Sequence, residues 1–194
     1  MGNQNQPFIQ TREIPFIGLF AALTAVLSYI EIPLPVVPIT AQTLGVMLAG
    51  SLLSPIPAFL SMVLFLLLGV IGLPVYAGGA SGIGTIFGPT GGFLLSWPVA
   101  VFVMAHLMKR FKPSFRNVFI INIVGGILVV YGIGVPYLAR IAHLNFTSAL
   151  TVGALPFIPG DLAKAFISTT VSLAIRKANK NFFDDYNRCG KSYE

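Results

Sequence analysis

The sequence is short of charge. Asp, Glu, Lys and Arg make up 9% of its 194 residues, where a soluble domain has about 25%. None of them occurs between Glu31 and Lys109. A water-facing surface cannot be built from that stretch, which excludes a soluble globular domain. Cysteine is nearly absent too: the single Cys189 sits in a polar tail and excludes a disulfide framework or a cysteine metal cluster. His106 and His143 have no partner at metal-ligand spacing. No HExxH, nucleophile elbow or paired carboxylates occur, so an enzyme reading has little support. The glycines Gly79 and Gly84 have P-loop spacing, but Thr85 stands where lysine is required. The chain therefore has no nucleotide motif of its own. A cleavable signal peptide is not expected: the first apolar run begins near Pro15 without a small-residue cleavage site.

What the sequence does have is apolar residues, 55% of the total, in long runs. The expectation is an all-α integral membrane protein with six transmembrane helices. The runs cover about 15–30, 40–53, 56–73, 91–108, 118–135 and 160–175. Residues 1–14 form a polar leader, 15–177 a six-helix substrate-binding membrane domain, and 178–194 a polar tail. A span needs about 20 residues, so the second and sixth runs are short. Alternate prolines after Glu31 predict extended backbone. The uncharged, Gly-rich segment 74–89 reads as a loop folded back as a cover, and 136–154 as a loop with room for a helical turn.

The net charge of +6 is of the sign that binds nucleic acid, but its placement points to topology. Arg12, the group Lys109, Arg110, Lys112 and Arg116, and the group Arg176, Lys177 and Lys180 lie at run ends. Positive residues stay on the cytoplasmic side, and six spans put all three groups there. Both termini are then cytoplasmic, and three loops gather outside.

Asp161 and Lys164 break the apolar pattern of the last run. Three apart, they share a helix face within its first turn. Each costs about 2.5–3.5 kcal/mol to insert, so such residues usually face a cavity. From Lys164 to Arg176 is about 18 Å of helix at about 1.5 Å per residue. That places Lys164 in the outer part of the membrane, beneath the loops. The expectation is an external ligand pocket with a lid, where this pair grips a small polar solute. The plainer readings are an internal salt bridge or snorkelling for Lys164 and a helix cap for Asp161. Gln42 and Thr43 could reach a solute from the start of the second run, and Tyr76 and Phe93 could pack on a ring; interface anchoring is the plainer role for the aromatics. Trp97 reads as packing, and Asn122 and Tyr131 as bonds to neighbouring helices. Ala21 and Ala25, and likewise Gly88 and Gly92, are four apart, a spacing that lets helices approach closely.

Four stretches, in order along the chain, resemble the BioY family of biotin transporters. They are Val37-Pro38-Ile39-Thr40-Ala41-Gln42-Thr43-Leu44-Gly45-Val46, Gly72-Leu73-Pro74-Val75-Tyr76-Ala77-Gly78-Gly79, Gly88-Pro89-Thr90-Gly91-Gly92-Phe93, and Leu155-Pro156-Phe157-Ile158-Pro159-Gly160-Asp161-Leu162-Ala163-Lys164. BioY proteins are the substrate-binding S components of energy-coupling factor (ECF) transporters. The resemblance implies a six-helix S component in the cell membrane, an external biotin site capped by loops, and coupling to a membrane T component and two ATPases. Biotin is then transported ligand, not cofactor. Asp161 and Lys164 carry over as biotin contacts. Biotin offers a carboxylate to Lys164, ureido N–H groups to Asp161 and apolar parts to an apolar pocket. Phe93 stands where the family often has Tyr. Ala21 and Ala25 look like the surface such proteins turn to the T component. The alternatives are an S component for another small carboxylated solute, a membrane enzyme, and a structural subunit in which the pair is a packing salt bridge.

Overall fold

The computed structural model describes residues 11–179. The leader through residue 10, Lys180 and the tail with Cys189 lie outside the described residues. The helices are α1 (Ile14–Leu27), α2 (Gln42–Leu52), α3 (Pro55–Val70), α4 (Ile83–Phe87), α5 (Gly91–Arg110), α6 (Phe115–Ile123), α7 (Val130–Ile141), α8 (Phe146–Gly153) and α9 (Ile158–Ala178). A π-helical segment, Val124–Val129, joins α6 to α7. The proline-rich stretch is extended as expected: β1 (Glu31–Ile32) pairs antiparallel with β2 (Ile39–Thr40).

The polarity of the bundle is inverted relative to a soluble protein. Leu19, Leu67, Leu128 and Phe166 are each more than half exposed, while Ser51, Ser61, Ser96, Asn122 and Ser168 are fully buried. Apolar residues outside and hydrogen-bonding ones inside suit a lipid surround. By length and composition α5 and the continuous Phe115–Ile141 can each cross a bilayer alone. The pair α8 and α9, bent by 51° at its break, can make a third span.

Segment 136–154 is mostly helix, not the loop with a helical turn that was expected. The helix α7 runs through Pro136 to Ile141, and α8 follows. Without water to satisfy freed backbone groups, a helix at membrane depth persists through a proline that would end it elsewhere. Both α1 and α9 begin with proline in the first turn, where its missing N–H is harmless.

At the centre is α2, nearly all of it buried. Its small residues make this possible: a methyl on Gly45 would strike Thr24 of α1, and one on Gly50 would strike Met104 of α5. Near its start Thr43 touches α9 at Asp161. Near its end the Ser51 carbonyl accepts from the Arg176 guanidinium of α9, at 2.6 Å to Nη2. The two helices therefore run parallel. Parallel dipoles side by side repel, and the Arg176 cation by both C-termini answers this at one end. Between these ends Asn122 of α6 accepts from Ser51 (2.9 Å) and donates to Thr169 of α9 (3.1 Å). This is the interhelical bonding expected of it.

Three tyrosines fix segment 74–89. Tyr29 donates to the Pro74 carbonyl (2.6 Å), Tyr76 to Leu66 (2.7 Å) and Tyr137 to Ile86 (2.8 Å). Gly78 has φ of +62°, a left-handed conformation that favours glycine, and its N–H bonds the Ser28 carbonyl. The segment is a folded cap carrying α4.

Candidate functional site

The first turn of α9 supplies Asp161 and Lys164, and α2 supplies Thr43 to meet them. The Lys164 ammonium donates to Asp161 Oδ1 at 2.8 Å, to Thr43 Oγ1 at 3.0 Å and to the Thr40 carbonyl at 2.5 Å. Thr43 donates in turn to Asp161 Oδ1 at 3.1 Å. Tyr131 donates to Asp161 Oδ2. Three donors therefore hold a carboxylate that is only 3% exposed, and the pair is a buried ion pair with its polar demands met.

The pair does not seal itself off. It lines a cavity of about 240 Å³. The walls are largely apolar, from Leu94, Val130 and Phe157 among others. Aromatic rings of Tyr76, Phe93, Trp97 and Tyr131 complete them, with Phe93 and Tyr131 edge to face at 6.2 Å. The capping segment closes over the cavity with Ala77, Ala80 and Thr85. An apolar hollow with a few convergent polar groups is the usual form of a small-molecule site. Among the described residues no His, Cys, Asp and Glu cluster could hold a metal ion.

The expected residues gather here: Asp161, Lys164, Gln42, Tyr76 and Phe93 all line the cavity. Gln42 is turned to the protein, accepting from Thr40 (3.2 Å) and donating weakly to Val75 (3.4 Å). The hydroxyl of Tyr76 is likewise spent on Leu66, and burial pushes its phenol above the ordinary range, so it stays a neutral donor. Phe93 swings into the wall because Gly134 leaves space for its ring.

The BioY family description matches residues 2–181. The chain belongs to the BioY family. "Probable biotin transporter BioY" of Bacillus subtilis is 42% identical over 166 residues, which is 84% of this chain and 89% of the relative. "Biotin transporter BioY" of Rhizobium etli is 38% identical over 177 residues, covering 86% and 94%. Among solved structures, the S component for biotin from an ECF-type ABC transporter superposes with a TM-score of 0.81. It is 29% identical, over 91% of this chain and 95% of that one. This BioY chain is thus a multi-pass helical membrane protein with the S-component fold.

One expectation for the BioY chain needs revision, and two residues gain a further role. Ala21 is 1% exposed and so faces this chain's own helices, while Ala25 is partly buried against the core. The exposed small residues of α1 are Gly18 and Ala22. Spacing told that two residues share a face, but not which way the face turns. Tyr131 bonds a neighbouring helix as expected, at Asp161, and Trp97 packs against Phe65 as expected, but both also line the cavity. The signal for Tyr131 was a hydroxyl midway along an apolar run. The π segment just before it changes the register, and that is invisible in the sequence. Gly125 and Gly126 let this segment lie against Met104 and Met47.

Proposed function

We propose that this protein is the biotin-binding S component of an ECF transporter, capturing biotin outside the cell beneath the capping segment. The observation that carries this is the joined cluster of Asp161, Lys164, Thr43 and Tyr131 at the wall of an otherwise apolar cavity. Biotin is a polar cyclic urea fused to an apolar ring with an apolar chain. Because Lys164 and Asp161 are in contact at 2.8 Å, they cannot serve opposite ends of one extended biotin. They act together on the ureido head: Lys164 donates to its carbonyl oxygen, and Asp161 accepts from an N–H. A site built to bond such groups rejects analogues that lack them. In this reading Lys164 does not meet the carboxylate.

The bundle has six spans with both termini in the cytoplasm, which the positive groups at Lys109 to Arg116 and at Arg176 and Lys177 support. Uptake requires a T component and two ATPases, since the chain carries no nucleotide motif. The T component meets α1 on the exposed side holding Gly18 and Ala22. Delivery follows when the bundle tilts within that complex.

The chain's single tryptophan lines the cavity and reports on it directly. Titrating biotin into the detergent-purified protein should change Trp97 fluorescence saturably, with one biotin per chain by calorimetry. No heat and no fluorescence change would refute the reading. Tyr131→Phe removes one of the three donors on Asp161 and should weaken biotin roughly tenfold, the worth of one hydrogen bond to a charged group. Calorimetry of that variant checks it.

A further inference from the structure

We infer that the pocket reads the ring head of its ligand and leaves the tail unread, so that neutral tail derivatives, biotin amides and esters, bind nearly as well as biotin. This rests on the reading under Proposed function and goes beyond it. A carboxylate taken out of water needs a cation or several donors. Among the described residues, Lys164 is the only cation in the cavity wall. Its ammonium has three N–H groups, which Thr40, Thr43 and Asp161 accept in the empty site; the one that turns to the ureido oxygen leaves none for a second ligand group.

The remaining wall has few donors to give. Gln42 donates to Val75, Tyr76 to Leu66 and Thr85 to Ser81; the buried Trp97 Nε1–H has no partner, but one neutral N–H does not hold a desolvated carboxylate. Gly-rich caps often cradle anions with backbone N–H groups. Here the N–H groups of Tyr76, Gly78, Gly79, Ala80 and Gly82 all bond protein carbonyls. The charge lying against the cap is negative: a methyl on Gly78 would meet the Glu31 carboxylate. An anionic tail has no reason to stay inside. The cavity reaches the surface at Ala80, which is exposed, and the tail leaves there into water. Whatever hangs from the acyl carbon beyond that point touches little protein.

The test compares biotin, its primary amide and its methyl ester by calorimetry on the purified chain. A charge-assisted bond to the carboxylate would be worth roughly tenfold to a hundredfold. Amide and ester within about tenfold of biotin support the inference; a larger loss for either overturns it. Lys164→Met supplies a second readout. If Lys164 serves the head, it costs biotin and the amide by the same factor; if it serves the tail, biotin alone loses and the inference falls. Failure of biotin itself to bind would instead remove the underlying function.

Discussion

Replacing Lys164 with alanine is expected to weaken biotin binding by at least about a hundredfold, and to lower the thermal stability of the empty protein. Truncating one partner of a buried, hydrogen-bonded charge pair costs about 2–5 kcal/mol, most of it the penalty of a charge left unpaired. Asp161 is that charge: it is 3% exposed, and its Oδ1 keeps only Thr43 as a donor once Lys164 is gone. The Thr40 carbonyl loses its donor as well. The ureido oxygen loses its ammonium, so binding falls for a direct reason and an indirect one. Calorimetry with biotin and a melting curve in detergent measure the two. Unchanged affinity would remove Lys164 from the site.

Neutralising both partners separates the two reasons. Asp161→Asn combined with Lys164→Met should restore the Tm toward that of the parent while biotin binding stays lost. A buried ion pair exchanged for neutral side chains of like volume is often no less stable, since two desolvation penalties vanish with the attraction. The introduced asparagine keeps an oxygen that accepts from Tyr131 or Thr43, and the methionine fills the volume of the lysine stem. The ligand gains nothing from this repair, because the ammonium donor and the charged acceptor are both gone. A purely structural salt bridge predicts a different pattern, with binding recovering alongside stability. Melting curves and calorimetry on the three proteins, parent, single and double variant, decide between them.

Much of this was legible because a bilayer is a severe solvent. In a chain without charge from residue 32 to residue 108, Asp161 and Lys164 stand out, and their spacing puts them on one helix face. The proline alternation after Glu31 gave extended strands as expected. The same severity hid the helix in 136–154. Proline is read as a breaker from its behaviour in water, and at membrane depth the freed backbone groups have nowhere else to go. Ala21 was misplaced because a four-residue spacing fixes a shared face but not its heading; α1 turns that face inward and presents Gly18 and Ala22.

The amino-acid order alone settled the lipid surround, the helical class and the identity of the one acid–base pair in the last apolar run, since each follows from composition and periodicity. Only the folded chain decided that Lys164 and Asp161 bond each other while still bordering a hollow, that Tyr131 completes the cluster, and that the cap's Tyr76, Gly78, Gly79, Ala80 and Gly82 spend their N–H groups on protein. These depend on how α2, α7 and α9 pack and on the π segment's change of register. Contacts between residues far apart in the chain have no local signature.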